Sequence, residues 1–372
     1  MSVMPSLVKI VIQDFRNIEL QELEFSPNVN CITGGNGEGK TNLLDAIYYL
    51  SMTKSAFNST DRFNCRHGTT GFALSGRYDF GNGVTSRFAI RVKDCSEKKM
   101  LRDDKPYARI SEHIGLLPVV MVSPSDTSMV SDSGEERRKF VNAVLSQLDQ
   151  EYLSDIQQYN RLLAQRNKLL KAGDCDLELL KTFDLTMEPF AGRIYSQRKK
   201  FIEDIIPDVC SHYSAISGGR EAVGIEYHSD LDKTGLEELF ERHRDRDRAL
   251  GYTTSGIQKD DFIFTMEGHP IRRCGSQGQQ KSFLVAMKFA QYDIMKRRCG
   301  FPPILLLDDL FDKLDPVRIS NLLKMVAGND FGQIFISDSN KSRTEETVSG
   351  ITQACAYFEA SAGQFTKRGG EL

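Results

Sequence analysis

Apolar and polar positions first alternate in short runs. Leu7-Val8-Lys9-Ile10-Val11-Ile12 reads as a strand. Ile18 and Leu20, then Leu23 and Phe25, read as a second, with a one-residue slip at Gln21-Glu22 that suits a bulge. Val29-Asn30-Cys31-Ile32-Thr33 is a short buried strand, and Asn42 to Leu50 places its apolar residues on one helical stripe. Phe72 to Tyr78 and Ser86 to Val92 form a hairpin around Phe80-Gly81-Asn82-Gly83. Leu117 to Val122 is another buried strand, and Ser133-Gly134-Glu135-Glu136-Arg137-Arg138 opens a helix with acids in its first turn.

The pattern changes near residue 150. Leu153, Ile156, Tyr159, Leu162, Leu163, Leu169 and Leu170 recur at helical spacing, and after Gly173 so do Phe183, Met187, Phe190, Ile194, Phe201, Ile202 and Ile205. Two helices joined by a short loop lie antiparallel, and Pro189 marks a kink or a nearby start. The strict heptad of a long coiled coil is absent, so these helices predict a short inserted arm, with some strand at Val223 to Tyr227. Arg242, Arg244, Arg246 and Arg248 alternate with Glu241, Asp245 and Asp247, as on a solvated, self-paired helix face. Pro303-Ile304-Leu305-Leu306-Leu307-Asp308-Asp309 is a continuously apolar strand, covered on both sides and ending in two carboxylates. A last strand is expected near Ala354 to Glu359; otherwise residues 341 to 372 carry no motif.

Size and composition narrow the class. The 372 residues suffice for two or three domains, and 40% hydrophobic content is ordinary for a globular protein. A net charge of −3 excludes a general polycation, so nucleic-acid binding would need a local basic face. The 8 cysteines show neither C-x-x-C nor zinc spacing, which suggests a reducing compartment. No apolar run approaches the roughly 18 residues of a membrane span, and the N-terminus lacks a signal-like segment. A soluble cytoplasmic protein is the expectation.

Chemistry enters at Gly34-Gly35-Asn36-Gly37-Glu38-Gly39-Lys40-Thr41, a full match to G-x-x-x-x-G-K-[ST] between a strand and a helix. Its glycines let backbone N–H groups converge on an anion, and the helix N-terminus adds partial positive charge. Lys40 suits the β and γ phosphates of a nucleotide, and the Thr41 hydroxyl suits Mg²⁺. Carboxyl ends of parallel strands face the ligand, so Asp308 fits a second Mg²⁺ holder, through water, and Asp309 is placed to orient or deprotonate the attacking water. Ser276-Gln277-Gly278-Gln279-Gln280-Lys281 precedes a helix and makes a second anion-binding end.

Together these segments resemble an ATP-binding-cassette head: Ser276 to Gln280 is similar to the cassette signature, and Asp312-Lys313-Leu314-Asp315 to the D-loop. Phe15-Arg16-Asn17, Gly37 to Leu44, Ser123-Pro124-Ser125-Asp126, Glu136 to Phe140, Arg161 to Lys171 and Gly251-Tyr252-Thr253-Thr254 narrow the resemblance to the RecF family, relatives of the SMC heads. The resemblance implies an α/β fold: an ABC-type, SMC-head-like P-loop ATPase domain with an inserted helical arm domain. Residues 1–150 and 251–372 would form the head and 151–250 the arm. It also implies ATP with Mg²⁺, slow hydrolysis and a two-fold homodimer. ATP would be bound by Gly34, Gly35, Asn36, Gly37, Glu38, Gly39, Lys40, Thr41 and Asn42 of one subunit, with Arg16 reaching the nucleotide, and by Ser276, Gln277, Gly278 and Gln279 of the other.

Implied partners are duplex DNA near single-strand gaps, RecR and RecO, in loading the recombinase RecA. Basic candidates are Lys98, Lys99, Arg102, Lys105 and Arg109, and Arg198, Lys199 and Lys200. The chain departs from the family pattern in four places: Ile257-Gln258-Lys259-Asp260-Asp261 lacks a histidine, Asp309 stands where many cassettes have Glu, Phe335-Ile336-Ser337-Asp338-Ser339 stands where transporter cassettes have a switch histidine, and no Q-loop glutamine lies near Val122-Ser123-Pro124. Two rival readings are a non-hydrolysing ATP-binding scaffold, which Asp309 favours, and a small-molecule kinase, which has no use for Ser276 to Gln280.

Overall fold

The computed structural model describes residues 5–81, 83–172, 176–309, 318, 321, 331–341 and 355–368. The chain builds two six-stranded sheets and a small three-stranded one. The first sheet is antiparallel: β1 (Ser6–Phe15), β2 (Ile18–Glu24), β4 (Gly71–Asp79), β5 (Thr85–Lys93), β6 (Glu97–Arg102) and β7 (Lys105–Pro106), in the order β2-β1-β4-β5-β6-β7. The second contains β3 (Val29–Thr33), β8 (Val119–Val122), β12 (Ile304–Asp308), β13 (Ile334–Asp338), β14 (Cys355–Ser361) and β15 (Gln364–Lys367), in the order β15-β14-β3-β13-β12-β8. All its pairings are parallel except β14 with β15. The β3, β8, β12 and β13 strands are buried throughout, as expected of parallel strands covered on both faces. The third sheet joins β9 (Val223–His228), β10 (Asp261–Met266) and β11 (His269–Pro270).

Among the helices, α1 (Lys40–Met52) follows the glycine loop, with α2 (Ser128–Ser131) and α3 (Gly134–Leu148) further on. The long α4 (Gln150–Lys171) and α5 (Leu177–Ser217) come next, then α6 (Leu236–Leu250), the short α7 (Ile271–Cys274) and α8 (Gln277–Cys299). One core lies between α1 and the antiparallel sheet, around Leu43, Ile47, Ile10, Leu74 and Ile90. The other runs from α4 and α5 into α8 and β12, joining Tyr159, Ile194 and Ile205 to Phe283, Met287 and Leu307.

Four local expectations change. β1 and β2 pair in regular register through Gln21 and Glu22, and the register of β1 shifts instead between Leu7 and Lys9 on its β4 side. Leu20 is 61% exposed, while Gln21 turns inward and bonds the Phe365 backbone at the sheet margin. Pro189 neither starts nor ends α5, which carries both Pro189 and Pro207 in its interior; packing on α4 and α8 outweighs the lost backbone bonds. On α6, Arg242–Glu238 and Arg244–Glu241 pair on the surface as expected, but Asp247 is fully buried and belongs to an interior pair with Arg166.

Candidate functional site

The phosphate-binding loop leaves β3 with Gly34 pressed under the last strands, where a Cβ would lie 2.5 Å from the Ala360 carbonyl. Gly37 (φ +84°) and Gly39 (φ +108°) take left-handed conformations that a side chain would strain. Gly35, Asn36 and Gly37 form an exposed crest. Gly39 caps α1 without any side-chain bond, so the first-turn N–H groups stay available to an anion. Lys40 is buried, and its Nζ donates to the carbonyls of Gly34 (2.8 Å) and Gly35 (2.9 Å), folding the ammonium into the loop.

Opposite the loop stands Asp308, at the carboxyl end of β12. Thr41 Oγ1 lies 2.9 and 3.0 Å from its two oxygens, joining segments 267 residues apart. Ser337 Oγ, on β13, donates to the same carboxylate at 2.6 Å. Burial pushes the Asp308 pKa up, against these two hydrogen bonds. Asp309 follows at φ +42°, a costly conformation for a non-glycine residue, with its N–H held by the Ser337 carbonyl at 3.2 Å. Thr41 and Asp308 supply the hard oxygen donors that a Mg²⁺ ion uses beside phosphate and water, so the residues present fit that ion.

Arg16 is not free on the surface. Its Nη2 donates to Asp45 (2.5 Å) and Ser55 (2.9 Å), and Nη1 to Asn42 (2.9 Å), tying the β1–β2 turn to α1. Burial lowers the Arg16 pKa and raises that of Asp45 against their mutual attraction. Asn42 in turn donates to Asn17 at 2.7 Å.

A contributor without a sequence signal is the turn between β14 and β15. Ala362 N–H donates to the Glu38 carboxylate, and Gly363 N–H donates to the Glu38 carbonyl at 2.9 Å. Only the pairing of β14 beside β3 brings these residues together.

Ser276 caps α8. Its Oγ accepts from Gln279 N–H (3.3 Å), and Gln279 Oε1 accepts from Ser276 N–H (2.8 Å). Gln279 also donates to Glu221 at 2.8 Å. Ser276 and Gln277 are exposed, with Gly278 and Gln279 half-buried. Among the described residues no hydrogen bond or ion pair joins positions 276–279 to 34–42. Further along, α8 lines a small cavity beside Asp308 with Lys281, Leu284 and Val285, facing Ser123, Asp126 and Thr127. The D-loop-like Asp312-Lys313-Leu314-Asp315 lies outside the described residues.

Two basic candidates are not surface groups. Lys98 donates to the Thr53 carbonyl at 2.6 Å and pairs with Asp61 at 2.9 Å. Arg198, 1% exposed, is held by Asp260 (2.6 Å), the Ile257 carbonyl (2.8 Å) and Asn142 (3.0 Å). The other members of both clusters are exposed. Cys65 and Cys95 form a disulfide, Cα atoms 6.3 Å apart, so scattered spacing concealed a pair and for these two thiols is no ground for a reducing compartment. No helix among the described residues is long and apolar enough to cross a membrane.

Residues 9–205 match a family model described as an AAA domain. The chain is 42% identical to the DNA replication and repair protein RecF of Phocaeicola vulgatus, over 97% of this chain and 98% of that one. It is 41% identical to the RecF of Bacteroides thetaiotaomicron, over 98% and 99%. Its fold superposes on the solved structure of the recombination mediator protein RecF with ATP in the RecFOR pathway, with TM-score 0.89 and 27% identity over 99% of each chain. An SMC head domain from Pyrococcus furiosus shares the fold at TM-score 0.59 and 14% identity, covering 98% of this chain and 96% of that one. The α/β architecture is therefore that of an ABC-type, SMC-head-like ATPase head, and the chain belongs to the RecF family of DNA replication and repair proteins.

Proposed function

We propose that the chain is an ATP-dependent DNA clamp of recombinational repair, acting in the cytoplasm as a homodimer that binds duplex DNA near single-strand gaps. Residues 1–150 and 251–372 form its head and 151–250 its arm, and the clamp helps RecR and RecO load recombinase. One observation carries the reading. Thr41 and Asp308 meet within 3.0 Å at one end of the nucleotide site, whereas exposed Ser276 and Gln277 make no described bond to that site. A loop with its acidic strand, and a separate anion-binding helix end, make two complete pockets only when two copies meet isologously about a two-fold axis.

In this site the loop from Gly34 to Thr41 and Asn42 binds and orients the triphosphate, and Lys40 leaves the Gly34 and Gly35 carbonyls for phosphate oxygens. Thr41 and Asp308 would hold Mg²⁺, which would supply positive charge to polarise the phosphoryl group. Asp309 orients the attacking water and takes up its proton. Ser276, Gln277, Gly278 and Gln279 of the second copy close the pocket and exclude water, with Gln279 steadied by Glu221. Arg16, bonded to Asn42 beside the loop, reaches the nucleotide. The triphosphate reaches both chains and the diphosphate does not, so hydrolysis loosens the clamp. Asp309, one methylene shorter than glutamate, favours slow turnover, and a non-hydrolysing scaffold is its limiting case.

Ser276→Arg tests the composite pocket. ATP binding to the monomer should stay near normal while ATP-driven dimerisation, read by light scattering, is lost. Loss of both would show that the signature is misassigned.

A further inference from the structure

The solvent face of the antiparallel sheet carries like charges directly across neighbouring strands. Arg77 on β4 stands opposite Arg87 on β5, and Arg91 on β5 stands opposite Lys99 on β6. All four side chains are exposed, while the alternate residues Tyr78, Phe88, Ile90 and Met100 fill the core beneath. Directly opposed like charges destabilise a sheet, and nothing in the fold requires them here. Arg87 is paired with Asp104, but no described carboxylate pairs with Arg77, Arg91 or Lys99. Acids flank the two pairs: Glu22 and Glu24 on β2, where Glu22 pairs with Lys9, Asp79 at the end of β4, Glu97 on β6 opposite Lys93, and Asp103 and Asp104 beyond β6. Between the two cationic pairs lies a low row, with Ser75 opposite Ala89. The pairs are four residues apart along β5, about 14 Å, so they meet different phosphates of one polyanion rather than a single small anion.

We propose that this face of the sheet, centred on Arg77, Arg91 and Lys99, is a contact surface for the phosphate backbone of duplex DNA. The proposal rests on the DNA-clamp reading above and adds where the duplex lies. Long cationic side chains over a smooth sheet read charge and not base sequence, so binding here is sequence-blind and salt-sensitive. Phosphates also offset the cross-strand repulsion that the free sheet carries.

The test compares the unmodified protein with Arg77→Gln/Arg91→Gln/Lys99→Gln and with a control triple on the arm, Lys168→Gln/Lys181→Gln/Arg246→Gln. A fluorescein-labelled duplex is titrated by anisotropy with ATP at several salt concentrations. Losing three phosphate contacts should flatten the log–log salt slope by about 2 to 3 and weaken binding at least tenfold, with the control near unmodified. The sheet triple should also melt no lower than the unmodified protein, since it relieves like-charge pairs. Equal affinity and slope in the sheet triple overturn this inference alone, as does an equal loss in the control. Failure of the unmodified protein to bind the duplex overturns the clamp reading and this inference together.

Discussion

At the scale of single residues, burial decides which charged groups do chemistry and which hold the fold. Asp309 sits at φ +42°, a strained backbone held by Ser337 just past the end of β12. Asp309→Asn keeps the volume and removes the proton acceptor; it should trap the ATP-bound dimer on DNA, read as slower dissociation, and faster release would contradict the assigned role. His113 marks the opposite case. It is fully buried with Nε2 2.7 Å from the Leu50 carbonyl, and burial pushes its pKa down to about 4. The unfolded chain then takes up this proton first, so stability is complete above about pH 6.5 and falls as pH drops towards 4. Between pH 7 and 5 this group should cost about 2 kcal/mol, and His113→Gln should remove that part of the slope in urea unfolding. Within the basic run 198–200, Arg198→Ala should cost about 3–5 kcal/mol because it strands Asp260 in the core. Exposed Lys200→Ala should change stability by less than about 0.5 kcal/mol by the same measurement.

At the scale of elements, the glycine loop is shaped from outside its own sequence. The β14–β15 turn bonds Glu38 through two N–H groups, and Gly363 (φ +79°) packs so closely that a Cβ would lie 2.3 Å from the Asn17 carbonyl. Gly363→Ala should push this turn off the loop and weaken binding of a fluorescent ATP analogue about tenfold, at a backbone cost of about 1–3 kcal/mol. Unchanged affinity would leave the turn a bystander. The two long helices share one apolar core with α8 and β12. The second half of α5 shares its core with α8, and Arg198 ties it to Asp260 just before β10.

At the scale of the whole molecule, chain order and spatial order part company. The strand before the loop and the strand bearing Asp308 are not neighbours; β13 lies between them and brings Ser337 to the carboxylate. If two copies complete each site, Lys40→Met should abolish both ATP-driven dimerisation and retention on DNA, because the ammonium holds the anion that both chains share. A variant that still dimerises with ATP would contradict the shared pocket.

By itself, the sequence determined the phosphate-binding loop, the acidic strand, the capped helix at Ser276 and most of the strands. Each rests on local rules: glycines where φ must be positive, unbroken apolar runs for strands covered on both faces, and a Ser with Gln three residues on for a helix start. The tertiary structure alone decided partnership. It enclosed Arg16, Lys98 and Arg198, joined Cys65 to Cys95, set the β14–β15 turn on Glu38 and aligned Arg77 with Arg87 and Arg91 with Lys99. The physical reason is that burial, pairing and register depend on what lies across a sheet or core, at separations along the chain that no local pattern encodes.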